Sequence, residues 1–474
     1  MTGGSMVFAG KKINPGNIPS ILAKKFRNRK IITCYLGSNA ATPTASLKAL
    51  AAAVKDRRPK LPFIRLVHTL LQGPAPHTEP GLEDRIMSYS IFSGENIRQA
   101  ANEGRAFYLP CTLRNIENII APGEEYCPDV AIFKVRRHPQ TGEYSLGLSV
   151  EALHAAIDHA KIVIAEEDDS MPFVLGQSVV DADSIDYLVT EGVEPVYSFP
   201  APDFENLEAA EKRIGEQIVS HFIRDGVTLQ VGIGKITDAA IGMIKNSGFR
   251  NLGVQTELYG DGLMLLQKLN IINNRRKKAN MGYSTTCLVM GTRELYDFTH
   301  LRNGVQMRPA SYTNAMETIR RNAPFISINT AIGVDLFGNV WADFIDPRRY
   351  WSGIGGQPDF IRALSSRNFG TPIIAIKSLA GNGESKIVPA APPGISQTAA
   401  AYDGVVIVNE FGVADLRGLT TGHKALAIAS IAHPKFRDGL IRHIYDDPFF
   451  TKPKGYTLGK TPKGVIMYEG NIPL

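Results

Sequence analysis

The order of β-rich run, glycine-bearing loop, helical stretch and second β-rich run occurs in each half of this chain, which restricts the fold to α/β layers. In the first half, Ile31–Tyr35 (IITCY) reads as a strand and GSNAATP as the loop after it. Ala45–Lys55 reads as a helix because it is rich in alanine and leucine with Pro43 just ahead, and Pro62–His68 (PFIRLVH) as the next strand. In the second half, Asn206–Arg224 places Leu207, Ala210, Ile214, Ile218 and Phe222 on one helical stripe, with Gly226 as its stop. Val227–Val231 (VTLQV) is then a strand, GIGKITD a loop, Thr237–Lys245 a short helix and Leu252–Thr256 a strand running into Glu257. Such units predict largely parallel sheets in two halves of similar design, and 474 residues exceed what one core usually holds. Val193–Asn206 (VEPVYSFPAPDFEN) is proline-rich and aperiodic, so the expected domains are residues 1–200 and 201–474.

Composition removes several classes of function. The net charge of +6 is mild over this length, and the densest basic run, Asn274–Asn280 (NRRKKAN), contains no aromatic residue for stacking on bases. It reads as a solvated loop, and no nucleic-acid partner is expected. Cys34, Cys111, Cys127 and Cys287 show no CxxC spacing, Cys34 and Cys111 read as strand or strand-end residues, and a reducing compartment follows. None of the ten histidines falls in a ligand arrangement such as HExxH, so no metal site is expected. No apolar run is long enough for a membrane span, so no membrane partner and a cytoplasmic location are expected. The opening MTGGSM reads as an appended leader with Met6 as the natural start.

The segment around GIGKITD admits different chemistries. As a dinucleotide-binding turn it supplies Gly232 and Gly234, with Glu257 at the distance of a ribose-binding acid, but the third glycine is replaced by Thr237. Alternatively, Glu257 itself reacts. A glutamate is already an anion at neutral pH and attacks a thioester carbonyl without an activating base. Such a reaction needs backbone N–H groups aimed at the oxyanion, and a second glycine loop, Ser352–Phe360 (SGIGGQPDF), offers them. Against both stands a plain solvated acid at a strand end before the turn Gly260–Gly262, which spacing alone favours.

Taken together, the segments resemble the class I coenzyme A transferase family in its acetyl-CoA hydrolase/4-hydroxybutyrate CoA-transferase branch, from about Lys30 to Leu440. LQVGIGKITDAAI is similar to the family's QxGIGxxxxAV segment, LGVQTELYGDG to its catalytic-glutamate segment and GIGGQPDF to its GxGGQxDF loop. SKIVP is similar to its SRIVP, and NEFGVADLRG with IAHPKFR to its C-terminal signatures. The resemblance implies two similar open α/β domains of the CoA-transferase type with the active site at their interface, in a homodimer. It makes Glu257 the nucleophile that carries CoA. The amides of Ile233 and Gly234, and of Gly353, Gly355 and Gly356, become oxyanion or thioester contacts. Asn314 in SYTNAM and Lys386, where the family has arginine, become CoA contacts. Ser38, Asn39 and His68 fall where an acid pocket is expected, although taken singly the first two close a turn and His68 is a structural histidine.

There are two departures from the family. Phe173 stands in MPFV where the family often has the arginine of MPRT, and Arg136–Gln140 (RRHPQ) replaces an SPPD-like turn. The expected reaction moves CoA from an acyl-CoA to a small acid of the butyrate, acetate, 4-hydroxybutyrate or itaconate type, with no cofactor beyond CoA. The alternatives are acyl-CoA hydrolysis on the same glutamate, a nicotinamide-dependent oxidoreductase built on the GIG turn, and a basic nucleic-acid module.

Overall fold

The computed structural model describes residues 8–204, 206–447, 449–450 and 464–468; Met6 and the opening residues lie outside it. The first half forms a ten-stranded sheet from β1 (Lys11–Ile13), β2 (Ile31–Leu36), β3 (Phe63–His68), β4 (Ile86–Ser90), β5 (Ala106–Tyr108), β6 (Val130–Arg137), β7 (Tyr144–Ser145), β8 (Ile162–Glu167), β9 (Val179–Val180) and β10 (Tyr187–Val189). The main path runs β1-β10-β8-β6-β2-β3-β4-β5, and every neighbouring pair along it is parallel. From β2 the chain builds outward to β3, β4 and β5, then returns to the other side of β2 as β6. The strand order therefore reverses beside β2, and the carboxyl end of that strand is where sheets of this kind bind ligands. Helix α1 (Thr44–Asp56) follows β2 and buries Leu47, Leu50 and Val54 against the sheet, while α2 (Glu95–Asn102) follows β4.

The second half repeats the design. Its sheet contains β11 (Thr228–Val231), β12 (Gly253–Val254), β13 (Phe325–Thr330), β14 (Gly370–Ala375), β15 (Val406–Asn409), β16 (Gly412–Asp415) and β17 (Val465–Met467), in the order β12-β11-β13-β14-β15-β16-β17. The first five strands are parallel, and the last two pairings, β15 with β16 and β16 with β17, are antiparallel. The reversal falls beside β11, and the GIG loop lies at that strand's carboxyl end. Helix α3 (Ala209–Phe222) precedes β11; it starts later than the sequence stripe because Glu208 and Glu211 form a capping box there. Helices α4 (Lys235–Asn246) and α5 (Asp261–Lys268) follow.

One apolar cluster runs from Tyr35, Val67 and Phe133 in the first sheet to Val231, Ile328 and Val408 in the second, so the two halves share a core. Backbone bridges Ser149–Leu288 and Gly176–Met307 also join them. The four cysteines are unbonded, and Cys111 lies in the loop beyond β5. Among the described residues no helix is long and apolar enough to cross a membrane.

The basic run Asn274–Asn280 departs from its expected role. Arg275, Arg276 and Lys278 are exposed, but Asn274, Lys277 and Ala279 are buried. The three N–H donors of Lys277 meet the carbonyls of Val254 (2.6 Å) and Tyr283 (2.7 Å) and the hydroxyl oxygen of Thr285 (3.0 Å). Burial lowers its pKa to about 7. This lysine occupies the space beside Gly253, and just beyond it Gln255 both donates its N–H to Leu229 O of β11 (3.0 Å) and bridges to Thr285. Lys277→Ala is expected to cost about 3 kcal/mol, from a cavity and three acceptors left without a donor. Urea denaturation measures this, and a loss below about 1 kcal/mol would return the run to a solvent-facing role.

Candidate active site

Glu257 follows β12 where the two halves meet. Its backbone carbonyl accepts from Leu288 N (2.8 Å), Cys287 N (3.3 Å), Thr286 Oγ1 (3.0 Å) and Cys287 Sγ (3.2 Å), which fixes the peptide from which the side chain projects. The carboxylate lies in the junction, and its Oε2 is buried without a hydrogen-bond partner. Burial raises its pKa to about 7; a hydrogen bond from its own backbone N–H works the other way, and Asp359 adds to the rise. No cation pairs with it among the described residues.

The second glycine loop abuts this carboxylate. A Cβ on Gly356 would sit 3.0 Å from Glu257 Oε1 and 2.2 Å from Asn314 Nδ2, so the close approach requires glycine. Asn314 is fully buried; its Nδ2 donates to Asp359 Oδ2 (3.2 Å) and its Oδ1 accepts from Thr313 Oγ1 (2.9 Å). Only residues 352–356 are loop, because Gln357–Ala363 forms helix α6, with Asp359 in its first turn. The first half grips this loop: Ser93 N donates to Ser352 O (3.2 Å), Leu113 N to Gly355 O (3.0 Å) and Arg114 N to Asp359 Oδ2 (3.2 Å). Gly353 is pressed on the Ile91 carbonyl, 2.5 Å from where its Cβ would be. The amides of Gly353, Gly355 and Gly356 reach no protein acceptor among the described residues, whereas the Ile354 amide is bonded to Tyr108.

At the GIG loop, Ile233 is 55% exposed, and the amides of Ile233 and Gly234 likewise have no protein acceptor among the described residues. Gly234 takes φ +120° as α4 begins. A cavity of about 260 Å³ opens here between Gly232–Gly234, Leu258, Gly260–Leu263 and Phe199. Asp238 and Asp261 both line it, and burial together with Asp261 and Glu211 lifts Asp238 to about 6. Two carboxylates beside the α4 N-terminus disfavour a pyrophosphate there. The acid that a dinucleotide turn would use for ribose, Glu257, is instead drawn to Gly356. The geometry opposes the nicotinamide reading.

On the first-half side, Ser38, Asn39 and Thr69 converge on a residue that the sequence reading missed. Glu151 is buried and accepts from Ser38 Oγ, Asn39 Nδ2 (3.0 Å), Thr69 Oγ1 (2.6 Å) and Ser149 Oγ (2.9 Å), and its own backbone is held at φ +36°. The polar groups of Ser38 and Asn39 that point into the junction are thus engaged by a protein carboxylate, and Asn39 also closes a turn to Thr42. His68 is buried between the Thr69 carbonyl and the Ser88 hydroxyl, and burial lowers its pKa to about 4.

Lys386 stands just before Ile387–Val388, a strand of a small separate sheet, half-buried, its backbone N bonded to Ser378 O (2.9 Å). Burial and the nearby Lys377 lower its pKa. The two departures from the family meet each other. The ring of Phe173 is buried and packs edge-on to His138 of the RRHPQ turn, centroids 4.9 Å apart. Position 173 therefore stabilises the first half and offers no cation to a substrate.

The chain is similar to several known proteins. Residues 19–199 match a family profile described as acetyl-CoA hydrolase/transferase N-terminal domain, and residues 291–444 match its C-terminal domain. A 4-hydroxybutyrate coenzyme A transferase of Clostridium kluyveri is 37% identical over 380 residues, 80% of this chain and 86% of that protein. A butyryl-CoA:acetate CoA-transferase of Anaerostipes caccae is 31% identical over 408 residues, 85% of this chain and 90% of its own. The crystal structure of a 4-hydroxybutyrate CoA-transferase from Porphyromonas gingivalis superposes with a TM-score of 0.74 at 28% identity, covering 92% of this chain and 97% of that one.

The closeness of Gly356 to Glu257 and Asn314 can be tested directly. Gly356→Ala is expected to slow acyl-CoA turnover about 100-fold by displacing the groups around the carboxylate. Gly381→Ala, where a Cβ meets nothing within 4 Å, is the control and is expected to match the wild type in the same steady-state assay.

Proposed function

The chain belongs to the acetyl-CoA hydrolase/transferase family of enzymes, and we propose that it moves coenzyme A from an acyl-CoA to a small carboxylic acid through a covalent thioester on Glu257. The observation that carries this reading is a buried carboxylate without a counter-cation, packed against a glycine loop whose amides at 353, 355 and 356 have no protein acceptor among the described residues. Desolvation makes the anion more basic than an ordinary glutamate and so a better nucleophile.

The steps follow from that placement. A Glu257 oxygen attacks the acyl-CoA carbonyl carbon; a C–O bond forms, the C–S bond breaks, and CoA leaves as a thiolate from a mixed anhydride. The thiolate attacks the glutamyl carbonyl carbon, a C–S bond forms, and the first acid departs as a carboxylate. A second carboxylate then reverses the sequence and leaves as the new acyl-CoA. Each addition places negative charge on a carbonyl oxygen, and the free amides of Gly355, Gly356 and Ile233 are suited to receive it. Asn314 holds Asp359 beside the site, and Lys386 offers a positive charge to the phosphates of CoA.

The acids named by relatives, 4-hydroxybutyrate, butyrate and acetate, set the expected substrate class. CoA is the only cofactor this chemistry needs, and a cytoplasmic homodimer is the expected form. Water as the resolving nucleophile is a second reading, because the family description includes acetyl-CoA hydrolases. Stimulation of acyl-CoA consumption by added acetate or butyrate separates transfer from hydrolysis.

Incubation with an acyl-CoA and no acceptor is expected to leave CoA on Glu257, visible by intact mass and trapped by borohydride. Glu257→Ala is expected to abolish labelling and turnover; near-normal transfer by that variant defeats the mechanism. Because the anion is the nucleophile, the rate of adduct formation is expected to rise with pH through about 7 and then level off. The same raised pKa costs stability as pH climbs from the unfolded value, about 4.5, to about 7. Glu257→Gln is therefore expected to match wild type in thermal midpoint at pH 4 and exceed it at pH 8.

A further inference from the structure

The glycine loop beside Glu257 belongs to the second half, but its conformation is set from the first. Asp343–Ser352 leads into the loop and lies across the first half. Its short hairpin, Phe344–Asp346 with Arg349–Tyr350, docks on α2. The Asn102 side chain accepts from Tyr350 N (2.8 Å) and donates to Tyr350 O (3.3 Å). Arg98 Nε donates to Trp351 O (2.7 Å), with its guanidinium 3.9 Å from the Trp351 ring centroid. These contacts hold the hairpin.

A different contact reaches the loop itself. Tyr108 ends β5, and its ring packs edge-on to Tyr350 (4.9 Å between centroids) and Phe344 (5.9 Å). Its hydroxyl donates to Asp343 Oδ2 (3.1 Å) and accepts from the Ile354 amide (3.2 Å). Asp343 is fully buried, and its backbone carbonyl takes the N–H groups of Trp351 (2.8 Å) and Ser352 (3.2 Å). The phenol is thus oriented at one end by a fixed carboxylate and spends its lone pair on one loop peptide. The next residue, Gly355, takes φ +61°, and Gly356 after it meets Glu257.

We propose that Tyr108 is a positioning residue for CoA transfer: by holding the Ile354 peptide, its hydroxyl aims the unpaired amides of Gly355 and Gly356 at the oxygen that becomes negative when Glu257 reacts. This rests on Glu257 being the nucleophile. Tyr108 itself gives up no proton. Burial, with Asp343 adding, pushes its phenol well above the ordinary tyrosine range, so it stays a neutral donor across the working range of pH. Without the hydroxyl the Ile354 amide loses its acceptor, and the loop is free to turn that N–H toward the oxyanion space in place of its neighbours. The consequence falls on the transition state and not on acyl-CoA affinity.

The test uses Tyr108→Phe in the full chain, which keeps the ring contacts and removes one oxygen. Turnover is expected to fall about tenfold, with KM for acyl-CoA within about twofold and the thermal midpoint lowered by a few degrees, because Asp343 and the Ile354 amide each lose a partner. In single-turnover labelling followed by intact mass, the CoA adduct on Glu257 is expected to form about tenfold more slowly, yet reach the wild-type extent. Arg98→Ala, which loosens the hairpin without touching the loop, is expected to keep turnover within about twofold of wild type. Adduct formation by Tyr108→Phe at the wild-type rate overturns the proposal, as does an Arg98→Ala defect equal to that of Tyr108→Phe, which would reduce both to domain tethering. Wild-type protein that never forms the adduct would instead remove the nucleophile reading on which this one stands.

Discussion

Holding a carboxylate out of water without a cation is costly, and the junction between the two halves is arranged around that cost. Glu257 keeps one oxygen without a hydrogen bond, and Asp359 lies near enough to raise it further. A salt bridge would relieve the strain and would also quench the proposed nucleophile. The charge is tolerated because everything else about the residue is over-determined: four donors fix its carbonyl, and Gly356 closes over its side chain. This is the pattern expected where instability is kept for function and paid for by rigid surroundings.

That rigidity is shared between the halves. The sheet containing β11 brings Glu257 and the GIG loop, yet the loop that faces the carboxylate is shaped by Ser93, Tyr108 and Leu113 of the other half. Glu151 does the corresponding work beneath. Its carboxylate gathers the loops after β2 and β3, while its neighbour Val150 donates from its backbone N to Cys287 O (3.0 Å), next to the peptide that clamps Glu257. A continuous apolar core makes such precision possible, because halves sliding on a wet interface would not hold amides to a fraction of an ångström.

What was legible in the sequence was local. IITCY and PFIRLVH become β2 and β3 within a residue because β-branched runs bounded by turn residues carry their own signal. Glu257 and the glycine loops stood out through the order of short segments, and the structure brings Glu257 and Gly356 together. Lys277 was misread because a charge cluster looks solvated unless its acceptors, Val254 among them, are known to surround it. Glu151 gave no sign at all: an acid before an apolar run resembles a helix start, and its partners Ser38 and Asn39 lie more than a hundred positions away. Tyr108 and Ile354 are farther apart still, 246 positions. Chemistry that depends on pairs so distant is written in the packing, not in any window of sequence.

The electrostatics of the junction also order the proposed reaction. An acid enters as an anion, and in the free enzyme it meets Glu257, which no cation pairs, and Asp359, whose charge only Arg114 partly offsets. Phe173 supplies none, being spent on His138. Once Glu257 carries CoA as a thioester it is neutral, one of the two repelling charges is gone, and the glycine amides are free for the incoming carboxylate. On this route the acid binds productively only after the first product has left. On the proposed route, like-charge repulsion in a low-dielectric site favours the two-stage sequence.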